Sequence, residues 1–124
     1  MQRQSRIDAP GTLHHVIGRG INRQKIFLDD DDRRDFLDHL ATLLTDSGIR
    51  CLAWAMLDNH CHLLLRTGIV SVSTLMRRLL TGYAVSHNRR HNRSGHLFQN
   101  RFAFIFFPIF LFKNHIFPNI ANSC

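Results

Sequence analysis

Residues 49–66 form a largely apolar stretch whose main break is the pair Asp58-Asn59, and this stretch constrains the fold more than any other. Ile49 to Leu57, with Trp54 and one interruption at Arg50, reads as a strand. Asp58-Asn59 reads as a turn, and His60 to Arg66 as the return strand of a hairpin. Strand side chains alternate between faces, so His60 and His62 project from the same face, about 6.5–7 Å apart along the backbone and within reach of one metal ion.

The flanking segments supply what covers such a hairpin. Thr12 to Ile17 reads as a first strand, followed by a glycine-punctuated basic loop over Gly18-Arg19-Gly20-Ile21-Asn22-Arg23. A helix is expected from about Asp29 to Asp46, with Phe36, Leu37, Leu40, Leu43 and Leu44 as its apolar stripe. Asp29 to Asp32 stand at its N-terminus, where carboxylates complement the helix dipole, so this run reads as a helix start rather than a metal site. Ser47-Gly48 can terminate it.

After Gly68, Ser71, Ser73 and Thr74 offer N-caps for a second helix running to about Arg90. Leu75, Leu79, Tyr83 and His87 recur every fourth residue as one stripe, so Tyr83 is expected to face the sheet, with Arg77, Arg78 and Arg89 off the stripe. Gly82 costs about 1 kcal/mol relative to Ala in a helix interior, which calls for a kink or the close approach of another backbone. His91 to Asn100 reads as a polar loop turning at Gly95, and Arg101 to Phe107 as a last strand. The order strand, helix, strand, strand, helix, strand implies an α+β sandwich, an antiparallel sheet with helices packed on one face.

With 124 residues the chain is long enough for one modest core. Its formal charge of +7 favours an anionic partner. All nine acids are Asp, and the last is Asp58, so residues 59–124 contain no carboxylate side chain to serve as ligand or general base. Cys51, Cys61 and Cys124 are odd in number and lack C-x-x-C spacing, which argues against a disulfide framework or a structural zinc site and for a reduced, cytoplasmic setting. Met1 to Pro10 is too polar for a signal peptide, and the apolar Phe102–Phe112 run falls short of the about 20 residues that cross a bilayer, so no membrane is expected. Residues 103–124 are Phe-rich, without helical or alternating period; the expected account is a frameshifted or truncated end with a tendency to aggregate.

A tyrosine can attack a phosphodiester and retain the phosphoryl group as a covalent ester. A metal on His60 and His62 would offset charge on the phosphate oxygens. His87, one helical turn from Tyr83, is the best geometric candidate for a third ligand, with Asn88 and Gln99 as weaker alternatives. Against this, an isolated H-x-H is a weak motif, and a tyrosine on an apolar stripe is ordinarily a core aromatic. Arg77, Arg78, Arg89, Arg90 and Arg93 have no acid in their own half of the chain, so they read as a polyanion-binding surface rather than an ordinary solvated face.

Taken in order, Arg6-Ile-Asp-Ala-Pro-Gly, Arg19-Gly20, His60-Cys61-His62, Met76-Arg77-Arg78, Tyr83 with Asn88-Arg89-Arg90, and Gly95-His96-Leu97-Phe98-Gln99-Asn100-Arg101 resemble the single-tyrosine HUH transposases. The branch they resemble is that of the REP-associated tyrosine transposases, relatives of IS200-type elements, over about residues 5 to 102. The resemblance implies a ferredoxin-like domain over residues 1–102 that cuts and rejoins single-stranded or hairpin DNA with Mg2+ or Mn2+. It implies His60 and His62 as metal ligands, Tyr83 as the nucleophile forming a 5′-phosphotyrosyl bond, and His87 or Asn88 as third ligand. Arg19, Arg23, Arg77, Arg78, Arg89, Arg90, Arg93 and Arg101 are the expected DNA contacts, with a homodimer open as an alternative to a monomer. Two departures stand out: Asp58-Asn59 replaces the usual Pro-Asn, and past Arg101 the chain gives a Phe-rich stretch in which Ala103 to Phe107 improvise the family's final strand while its following helix is lost. The rival expectation is a DNA-binding remnant that does not cut.

Overall fold

The computed structural model describes residues 12–99 and the strand at 103–106. Their order is β1 (Leu13–Arg19), a short 3-10 turn (Ile21–Arg23), α1 (Asp30–Ser47), β2 (Arg50–Leu57), β3 (His60–Arg66), α2 (Val72–Arg90) and β4 (Ala103–Phe106). The four strands form one antiparallel sheet in the order β2-β3-β1-β4. This is the expected α+β arrangement, in which β3 is inserted between β1 and β2.

Both helices begin and end where their sequences prescribe. The Asp29 carboxylate accepts the Asp32 N–H at 2.9 Å, three further acids occupy the first turn of α1, and Gly48 closes it in the left-handed region at φ 74°. Ser71 caps α2 by accepting the Thr74 N–H at 3.1 Å, and His87, Arg89 and Arg90 fill its last turn, next to the negative end of the helix dipole. Gly82 is explained by a side chain from α1, not by a kink or a second backbone. A Cβ there would lie 3.2 Å from His39 Nδ1.

One sequence expectation shifts at its edge. β1 runs two residues past Ile17, through Gly18 and Arg19, because these pair with Cys61 and His60 and so remain in the ladder. The basic loop therefore begins only at Gly20. Of the expected last strand, Ala103–Phe106 lies within the described residues and pairs along β1 from Ile17 to His14. Arg101 and most of the Phe-rich stretch lie outside the described residues, as does the N-terminal part of the resemblance.

Alternation sorts β3 into two faces. Cys61, Leu63 and Leu65, all buried, join Val16 of β1, Phe36 and Leu40 of α1, and Leu75, Leu79 and Tyr83 of α2 in the main core. Burying each large aliphatic here contributes about 1.5–3 kcal/mol. On the opposite face Leu64 packs with Leu13 and Ala53 in a smaller cluster. His60 and His62 share that second face, turned away from the helices.

Candidate functional site

His60 and His62 are half-buried, with ring centroids 4.9 Å apart. Each uses its Nδ1 in a hydrogen bond. His60 Nδ1 lies 2.8 Å from Asn59 Oδ1, and an amide oxygen only accepts, so His60 donates there through Nδ1 and Nε2 is the nitrogen left to meet a metal. His62 Nδ1 lies 2.8 Å from His15 Nε2, with the ring centroids 5.0 Å apart and the ring planes within 19° of each other. Burial holds the His62 imidazole down at a pKa of about 4, with repulsion from His15, His60 and Arg19 adding to it, and burial likewise lowers His15. Both rings are therefore neutral at physiological pH, the state a metal ligand must have. The Cys61 thiol between the two histidines points into the core, where burial pushes it up to about 12, and it plays no part in this face.

Tyr83 and His87 lie across the sheet from this pair. Tyr83 is 0% exposed, among Phe27, Phe36 and Phe98, and its hydroxyl donates to the Ile26 carbonyl at 2.5 Å. Burial raises its pKa far above the ordinary phenol value, and the nearby Asp32 carboxylate pushes in the same direction. His87, 1% exposed, has Nδ1 3.4 Å from the Tyr83 hydroxyl and 3.6 Å from Asp32 Oδ2. Burial lowers its pKa despite the attraction of Asp32. The expectation that Tyr83 and His87 share a space with His60 and His62 is not met within one chain, because Tyr83 joins the core formed by Cys61, Leu63 and Leu65 of β3, whereas His60 and His62 project from the opposite face of that strand. Asn88, the alternative third ligand, also points elsewhere, bonding the Gly95 carbonyl at 2.9 Å and Arg93 at 2.5 Å. Gln99 is nearer in the topology, its N–H on the carbonyl of Arg19, the residue paired with His60.

Asp32, read from sequence only as part of a helix start, proves central to the helix side. Wholly buried, its carboxylate accepts the Leu28 N–H at 2.8 Å, meets His91 Nε2 at 2.9 Å and pairs with Arg90. Burial would raise its pKa, but these donors outweigh burial and hold it below the ordinary value. Asp32, His87 and His91 bring ligand-type atoms within 4.8 Å of one another. Because Arg90 already neutralises the carboxylate, this trio reads as an ion-paired latch between the start of α1 and the end of α2, rather than as a metal centre.

The arginines divide in the same way. Arg90 pairs with Asp32 and Asp35, which corrects the expectation that the arginines of α2 go unpaired: acids from the first half of the chain reach it through the fold. Arg93 bridges Asn88, Gln24 and the His96 carbonyl and so braces the loop after α2. Arg19, Arg23, Arg77, Arg78 and Arg89 are exposed and carry no salt bridge among the described residues. Arg19 stands beside His60 in the ladder, next to the histidine pair. A groove of about 420 Å³ lies between α2 and the loop that follows it, lined by Arg77, Ala84, Val85 and Phe98 among others, with neither His60 nor His62 in its lining.

Sequence reasoning missed His15 and Asn59 as partners of the histidines. Asn59 is legible in retrospect as the amide directly preceding the pair. His15 depends on strand pairing, which no local pattern encodes.

The sequence profile of the family described as Transposase IS200 like matches residues 11–107. Among solved structures, the chain is similar to a REP-associated tyrosine transposase bound to a REP hairpin, at 15% identity and a TM-score of 0.66, over 87% of this chain and 63% of that one. The chain thus spans less than two thirds of that protein. It is also similar to a protein from Deinococcus radiodurans R1 described as a candidate transposase, at 17% identity and a TM-score of 0.64, over 98% of this chain and 97% of that one. At these identities the likeness speaks to the fold. Nothing among curated protein sequences matches the chain. Among the described residues no helix is long and apolar enough to cross a membrane.

Proposed function

The chain belongs to the IS200-like transposase family, and from that premise we propose that it binds single-stranded or hairpin DNA and holds a divalent cation, Mg2+ or Mn2+, on His60 and His62. The observation that carries this reading is the histidine pair itself: two imidazoles on one strand face, each with Nδ1 engaged in a hydrogen bond, so that Nε2 is the atom each would offer a metal. Both ions favour oxygen donors, so with two imidazoles from the chain either would draw the rest of its shell from water and phosphate oxygens. Bound there, the cation would neutralise charge on a phosphodiester. The chain's own residues bring the DNA to it, with Arg19 beside the pair and Arg23, Arg77, Arg78 and Arg89 as further exposed cations. Such contacts confer affinity rather than sequence choice. A DNA substrate of this kind accords with a cytoplasmic setting, and a homodimer is compatible with it.

DNA strand transfer is the activity class of the family. Its covalent step, assigned to Tyr83, would need the phenol to leave the Ile26 carbonyl and emerge from the core, and this packing supports a structural role for Tyr83 instead. The geometry therefore favours DNA and metal binding by this chain over cleavage through Tyr83.

The test uses labelled hairpin DNA with Mn2+, with and without chelator. Binding should fall steeply with salt, and Mn2+ uptake should be lost in His60→Ala and His62→Ala. Tyr83→Phe should bind DNA and Mn2+ like the parent. A denaturation-resistant protein–DNA adduct that disappears in Tyr83→Phe would establish strand transfer through Tyr83 and overturn the structural assignment of that residue.

A further inference from the structure

Resting on the proposal that His60 and His62 hold the cation, we propose that His15 is a positioning residue of the site: it accepts the Nδ1 proton of His62 and so fixes His62 Nε2 as the ligating atom. The register makes this possible. Ile17 pairs with His62 and His15 with Leu64, so His15 and His62 are diagonal neighbours on one face of adjacent central strands. His15 is 2% exposed, and its Nε2 stands 2.8 Å from His62 Nδ1 with the rings nearly parallel.

Two neutral imidazole nitrogens at that distance share one proton, so one ring donates and the other accepts. If His62 donates, its Nε2 carries the lone pair. If His15 donates, the His62 proton sits on Nε2 and closes that atom to a metal. His60 supplies the precedent within the same site, since its Nδ1 faces the amide oxygen of Asn59. Ligating histidines ordinarily spend their second ring nitrogen on such an acceptor, which sets both tautomer and ring angle. A buried histidine on a central strand is a rigid acceptor. His15 therefore does for His62 what Asn59 does for His60.

The first measurement is on the metal-free parent chain, uniformly labelled with 15N: long-range proton–nitrogen correlations report the tautomer of each ring. The expected result is a protonated Nδ1 on His62 and on His60. A proton on His62 Nε2 would overturn the proposal. The second compares Mn2+ affinity, by the loss of the free-ion resonance signal, in His15→Leu and His15→Gln. Leu offers no acceptor and should weaken binding about 10–100-fold. Gln presents an amide oxygen and should restore most of that loss. Unchanged affinity in His15→Leu, or no recovery in His15→Gln when both are folded, would also overturn it. If the parent takes up no Mn2+ yet His62 shows the expected tautomer, the metal reading falls and the ring-fixing role of His15 stands.

Discussion

The two faces of the sheet carry similar side chains and put them to different uses. On the face away from the helices, burial lowers the pKa values of His15 and His62, and His60 and His62 each spend Nδ1 on a hydrogen bond and leave Nε2 for a metal. On the helix-covered face, Tyr83, His87 and Asp32 are buried and their polar atoms turned on one another or on backbone. A phenol, an imidazole and a carboxylate are the ingredients of an active site in either place. Enclosure makes the difference. Once helices cover a polar group, an unsatisfied atom costs free energy, so each group is tied to a fixed partner and its reactivity is spent on holding the fold.

That contrast is broken most forcefully at Asp32. Asp32→Ala leaves the Leu28 N–H, Arg90 and His91 without their common acceptor, and one-sided removal from a buried pair costs about 3–5 kcal/mol. Urea unfolding should show that loss. A change under about 1 kcal/mol, the scale of a surface pair, would mean that the closed face is not held by this latch.

Tyr83→Phe comes next. It strands the buried Ile26 carbonyl and should cost about 1–3 kcal/mol in the same assay, with no change in Mn2+ affinity. A loss of Mn2+ binding in that variant would join the two faces into one site and dissolve the contrast.

The smallest effect is a slope with pH. His62 titrates near 6.5 when unfolded and at about 4 when folded, so between these values the unfolded chain binds more protons, and stability falls as pH drops through that window. His15 and His87, also lowered, act in the same direction. The contribution of Asp32, whose carboxyl is depressed, is present above pH 3.8 and lost only below it. Melting temperature followed from pH 7 to 4 should therefore decline below about pH 6.5, and His62→Ala should flatten the decline. An unaltered slope in His62→Ala would remove His62 as its source.

Much of this was legible along the chain. The β3 limits, both helix caps and the shared face of His60 and His62 follow from local chemistry: alternation in a strand, Asp29 and Ser71 before apolar periodicity, Gly48 after it. The stripe of Leu75, Leu79, Tyr83 and His87 was equally legible, and all four are buried. The same stripe, however, misled the reading of the site. A helix face that meets the sheet lies on the covered side, and periodicity does not say on which side the histidines stand.

Arg90 shows the same limit from another direction. By sequence position it sits in a half of the chain without acids, and charge counted along the chain makes it a free cation. In the fold, α1 and α2 pack side by side and bring Asp32 and Asp35 to it.

The sequence by itself determined the elements, their order and the pairing of two histidines on one strand face, because those depend on neighbours within a few residues. Tertiary structure alone decided that the histidines turn away from the helices, that Tyr83 is enclosed, and that His15 rather than His87 meets His62. Those outcomes rest on which strands are adjacent and which face the helices cover, and both are fixed by contacts between residues some fifty positions apart, such as the 47-residue separation of His15 and His62.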